Sequence, residues 1–133
     1  MDIRKSVMRG TGAVVTAILL LSTPLHAQSL ATGEGRYQNQ LTRLSEILGQ
    51  LHHLRGTCAR GEQQLWRDNM MELIRLENPP STRKNEMVAE FNASFEKARK
   101  RYPNCGPDGV REAIDLAREG AGLSEVLSSN ISR

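Results

Sequence analysis

Apolar residues from Tyr37 to Leu51 recur at alternating steps of four and three: Tyr37, Leu41, Leu44, Leu48, Leu51. Ile47 and Leu54 widen the stripe. Residues three and four apart share one helix face, so this spacing predicts an amphipathic helix over 36–55, with Gly56 and Thr57 able to end it. A second stripe starts near Arg60 and runs through Leu65, Trp66, Met70, Leu73 and Ile74 to Glu77. Asn78-Pro79-Pro80 stops it, because proline cannot continue the hydrogen-bond ladder. Ser81 is placed to cap a third helix, with Met87, Val88, Phe91, Phe95 and Ala98 on its apolar face and Tyr102 extending it; Pro103 ends the segment. Pro107 suits the first turn of a fourth helix. Val110, Ile114, Ala117 and Ala121 mark its inner face, Gly120 and Gly122 weaken it, and Leu123, Val126 and Leu127 add a further turn or two. No segment alternates with period two. The expected class is all-α: a small antiparallel bundle of about four helices joined by short connections.

The N-terminus carries a different pattern. Arg4, Lys5 and Arg9 precede a ten-residue apolar run, Gly12–Leu21, and Ser22 to Ala27 follow it. This is the layout of a secretory signal peptide cleaved after Ala27, and its apolar run is shorter than the ~20 residues a spanning helix needs. The expected organisation is a signal peptide at 1–27, a flexible leader at 28–35, one helical domain at 36–129 and a frayed tail at 130–133. The 133-residue chain has 18 basic and 15 acidic residues; without Asp2, Arg4, Lys5 and Arg9 the remainder has 15 and 14. Its apparent basicity belongs mainly to the signal peptide, which removes the electrostatic argument for a nucleic-acid partner. No stable membrane insertion is expected once the signal peptide is cleaved.

Cys58 and Cys105 are the two cysteines. Export delivers them to an oxidising compartment, where a disulfide is the default. The helix pattern leads to the same pairing. Cys58 falls between the first and second helices and Cys105 between the third and fourth, and an up-down bundle brings those connections to one end. Neither C-x-x-C nor C-x-x-C-H occurs, so redox-motif and covalent-haem readings have no support.

Several residues combine in a family-like pattern. It runs through Leu54-Arg55-Gly56-Thr57-Cys58, Glu62, Trp66-Arg67-Asp68-Asn69-Met70, Arg83-Lys84, Phe91-Asn92-Ala93-Ser94-Phe95 and Tyr102-Pro103-Asn104-Cys105. Over residues 40–128 it resembles a family of small, exported, uncharacterised alphaproteobacterial proteins. The resemblance implies a periplasmic location and a disulfide, and brings no activity, cofactor or catalytic residue.

Candidate chemistry is sparse. Glu62, Trp66, Arg67 and Met70, read as sharing the second helix, form a candidate partner-binding surface with Trp66 as anchor and Arg67 as a fork for an anion. The alternative puts Trp66 in the core and pairs Arg67 with an acid such as Glu90. Asn92, between Phe91 and Phe95, would specify packing or face a ligand. Lys97, Arg99, Lys100 and Arg101 would meet an anionic surface, or complement the helix dipole in solvent. Adjacent His52 and His53 diverge by about 100° on a helix and cannot chelate one ion as an i,i+4 pair would. Met70, Met71 and Met87 suggest core filling before soft-metal binding. No metal site, cofactor or catalytic constellation is expected. The expected function is a non-catalytic interaction protein of the cell envelope, with an envelope protein or cell-wall component as partner. The alternatives are a small-ligand or metal carrier and, from another class, an envelope-polymer hydrolase. The sequence does not define an oligomeric state.

Overall fold

A computed structural model describes the backbone of residues 25–59 and 61–131, with side chains from 33 to 130 except Arg60. The basic and apolar parts of the expected signal peptide, residues 1–24, lie outside the described residues, as do 132 and 133 of the expected tail. Four helices follow in order: α1 (Leu25–Cys58), α2 (Leu65–Glu77), α3 (Ser81–Arg101) and α4 (Pro107–Ile131). Among the described residues there is no strand.

Helix α1 is longer than its apolar stripe. It runs through residues 28–35, expected as a leader, and past Gly56 to Cys58. Its described residues 33–36 are exposed, so this first stretch continues the helix without the burial that made residues 37–54 readable. Helix α2 starts five residues later than expected. Residues 61–64 form a turn in which Gly61 has φ +92°, a left-handed backbone that glycine adopts without Cβ strain. At the other end Asn78 takes the left-handed conformation and its N–H bonds the Ile74 carbonyl, closing the helix before Pro79. Pro80, not Ser81, occupies the N-cap of α3, and no side chain caps it.

Helix α1 is the hub. α2, α3 and α4 all pack along it rather than along one another. The fully buried Leu41, Ile47, Leu51 and Leu54 all belong to α1. Tyr37 donating to Glu77 sets α2 antiparallel to α1. Gly109 beside Leu54 and Gly120 beside Ile47 set α4 antiparallel, and Arg43 binds Glu119 at 2.7 and 2.9 Å between the two helices. α3 runs parallel to α1: Gly49 faces Phe91, and His53 Nε2 lies 2.7 Å from the Tyr102 carbonyl. In a square up-down bundle α1 and α3 would be diagonal. Here they form the most extensive helix pair, because Gly49 has no side chain. A Cβ at that position would stand 2.1 Å from the Phe91 carbonyl oxygen.

The inner face of α4 differs from expectation. Gly109, Ala113, Leu116, Gly120 and Leu127 are buried, whereas Val110 and Ile114 are exposed and Ala121 faces out. The face is rotated by one residue, about 100°. Gly120 does not break α4; it lets α4 approach Ile47, whose Cγ2 would lie 3.2 Å from an added Cβ. On α3, Met87, Phe91, Ser94 and Ala98 are buried, while Val88, expected inside, is exposed.

The disulfide joins Cys58 to Cys105, with Cα atoms 5.0 Å apart, at the end opposite the Asn78-Pro79-Pro80 turn. It closes a loop containing α2 and α3. Over its described residues the chain is therefore an all-α, four-helix, disulfide-tied protein in which consecutive helices reverse direction.

Candidate functional site

Because α2 and α4 pack on α1 without meeting along their length, a groove runs between them over the buried apolar face of α1. Leu44, Ile47, Leu48 and Leu51 floor this groove, which has a volume of about 660 Å³. Trp66, Leu73 and Leu76 form the α2 wall. Ala117, Gly120 and Ala121 form the α4 wall, where short side chains keep the opening wide. Leu76 is 61% exposed at the rim. The charged groups lining the groove are Glu72 and Glu77. Arg75 binds Glu72 through two hydrogen bonds of 2.7 and 2.5 Å. Glu77 accepts the Tyr37 hydroxyl. Burial and that carboxylate raise the Tyr37 pKa to about 12, so the phenol keeps its proton throughout the physiological range.

A second cavity, of about 410 Å³, opens on the other side of α2, toward α3. His52 of α1 contributes to its wall, with Phe91, Asn92 and Phe95 from α3 and Arg67 from α2. The His52 ring centroid lies 5.6 Å from that of Phe91 and 5.1 Å from that of Phe95, forming an aromatic cluster. Burial lowers the His52 pKa; a backbone hydrogen bond to Gln63 opposes this, while the charges of Arg67 and His53 add to it. Its Nδ1 is buried with no hydrogen-bond partner among the described residues.

The four residues expected to form one recognition surface are divided by the fold. Trp66 is half-buried and packs against both core clusters, so it is part core and part groove wall. Met70 is buried beside Leu44 and Leu48 in one cluster. Glu62 precedes α2 instead of lying on it. Arg55 holds its carboxylate in a fork of 2.8 and 2.6 Å and keeps it below the usual carboxylate range. Trp66 Nε1 adds a long 3.4 Å contact to the same carboxylate. Glu62 thus pins the α1–α2 connection. Arg67 faces out; among the described residues it forms no ion pair, with Glu90 or any other acid.

The basic end of α3 is exposed, but its charges are not equivalent. Arg99 binds Glu96 at 2.6 Å, and Arg101 lies 5.4 Å from the Tyr102 ring centroid. Lys97 and Lys100 remain at the surface. His53 is buried against the Tyr102 carbonyl and Phe95, which fixes it as a packing residue. Among the described residues no group of three or more His, Cys, Asp or Glu is arranged to hold a metal. None of their helices is long and apolar enough to cross a membrane. The groove and the convergence of Arg67, Asn92 and His52 depend on how distant segments pack, which local periodicity does not encode.

The class is defined by these features: a small all-α protein stapled at one end, with an apolar groove on one side of α2 and a cation-bearing cavity on the other. The chain belongs to the family described as protein of unknown function (DUF2385), whose model matches residues 36–131. No curated protein and no solved structure matches it.

Proposed function

We propose that this is an exported, non-catalytic binding protein of the cell envelope that seats an apolar helical segment of a partner protein in the α2–α4 groove. The carrying observation is the groove itself. Leu44, Ile47, Leu48 and Leu51 lie buried at its base, and its accessible apolar surface is at the walls and rim, where Leu76 is 61% exposed. An amphipathic helix with anchors at i, i+3 or i+4 and i+7 complements such an apolar groove. The small residues on α4 permit close approach, as Gly49 does between α1 and α3. Glu77 on the lining, whose partner is the neutral Tyr37 hydroxyl rather than a cation, favours an occupant flanked by Lys or Arg. Export is supported by Arg4, Lys5 and Arg9 before the Gly12–Leu21 run and by the disulfide, which suits an oxidising periplasm. The carboxylates of the groove are already engaged by Arg75 and Tyr37, which suits recognition better than proton transfer.

The test is a photo-crosslinking residue at Leu76 in cells producing the protein, with and without Ala121→Trp. Ala121 is exposed on the α4 wall, so Trp there obstructs the groove without entering the core. The reading expects one envelope-protein adduct, lost in the obstructed variant, with the crosslinked peptide apolar, helical and basic at its flanks. No adduct, an adduct indifferent to Ala121→Trp, or capture of a second copy or residues 1–24 would contradict it.

A further inference from the structure

The cavity between α2 and α3 has a chemistry distinct from the groove. Its volume of about 410 Å³ is that of a small-molecule site. Phe91 and Phe95 supply flat apolar surface beside His52. Val88 and Met71 remain exposed at the cavity, 37% and 62% respectively, although both are apolar. Among the described residues no carboxylate lines it, and the one cationic side chain with a permanent charge is Arg67. Asn92 adds an exposed amide able to donate and accept. Arg67, which has no acidic partner among the described residues, offers a planar fork to a carboxylate. From this combination we infer that the cavity binds a small organic anion with a flat or branched apolar body, an aryl or branched alkyl carboxylate. Arg67 holds the carboxylate, Asn92 orients it, and Phe91, Phe95 and Val88 cover the apolar part. This site is independent of the groove, and either can fail without the other.

The probe is 2-naphthoate, titrated into the purified disulfide-bonded protein by calorimetry and by backbone-amide NMR, with 2-naphthylmethylammonium as the matched cation. The expected result is saturable naphthoate binding, with shifts grouped at Val88, Asn92 and Phe95, and little binding of the cation. Arg67→Gln should weaken naphthoate about tenfold or more, the cost of one charge-assisted fork. Arg75→Gln, on the same helix but bound to Glu72 and outside the cavity, should leave affinity unchanged. Arg67 is exposed, so its variant is expected to fold, and the NMR spectrum verifies this. Equal binding of anion and cation overturns the inference. So do unchanged affinity in Arg67→Gln, shifts grouped at Leu73 and Ala121, or no binding at about 10 mM, where a specific site would already be engaged.

Discussion

Replacing Gly49 by alanine tests the feature that makes α1 the hub. Alanine is the better helix former by about 1 kcal/mol, so on propensity alone the change should stabilise α1. The structure reverses that sign. The new Cβ would stand 2.1 Å from the Phe91 carbonyl oxygen and 2.9 Å from its carbon. Ordinary contact begins near 3.4 Å, so α3 must retreat by more than 1 Å. Both atoms are backbone, so no rotamer change relieves the clash. Overpacking of this kind costs about 1–3 kcal/mol and more where backbone must move. Taking about 3 kcal/mol, the upper end of that range, and subtracting about 1 kcal/mol for propensity, Gly49→Ala should destabilise by about 2 kcal/mol. Two controls separate packing from propensity. A Cβ at Gly35 or Gly122 would meet nothing within 4 Å, so alanine there should stabilise by about 0.5–1 kcal/mol. The assay is urea unfolding with the disulfide intact, reading the midpoint at constant m-value. A Gly49→Ala protein as stable as wild type, beside controls that show their gain, would refute the close α1–α3 approach.

Two further outcomes follow from the site and the staple. Reducing Cys58–Cys105, or replacing both residues by serine, should destabilise by about 4 kcal/mol in the chain-entropy picture, since the bridge closes the whole α2–α3 loop; an unchanged unfolding midpoint on reduction would remove the bridge from the account. His52 has a folded-state pKa below its ordinary 6.5, from burial and the nearby charges of Arg67 and His53. The unfolded chain then binds the extra proton first, so this contribution is complete above pH 6.5 and declines as pH falls toward the lower folded-state value. His52→Gln should flatten the stability–pH slope just below pH 6.5, and an unaltered slope would show that the ring is not held neutral.

Much of the fold was legible because its signals are local. The Tyr37–Leu54 stripe marked the central helix, the double proline marked the α2–α3 turn, and helix order alone placed Cys58 beside Cys105. The errors share a cause. On α4, large Val110 and Ile114 drew the inner face toward themselves, yet the buried line is Gly109, Ala113 and Gly120 with Leu116 and Leu127. Small residues give little hydropathy signal, although close helix approach requires them. Val88 was assigned to the core for its chemistry and instead borders a cavity. Arg67 and Asn92 each stood out in the sequence. Their meeting depends on α3 lying against α1 at Gly49, a long-range fact that no periodicity carries.

The proposed envelope-binding role rests on the α2–α4 groove, and position-dependent crosslinking addresses it most directly. The same photo-reactive residue is placed at Leu76, on the groove rim, and at Ile114, exposed on α4 outside the groove. The account predicts a partner adduct from Leu76 alone, mapped to a helical apolar segment with basic flanks. Equal adducts from both positions, or an adduct from Ile114 alone, would contradict it.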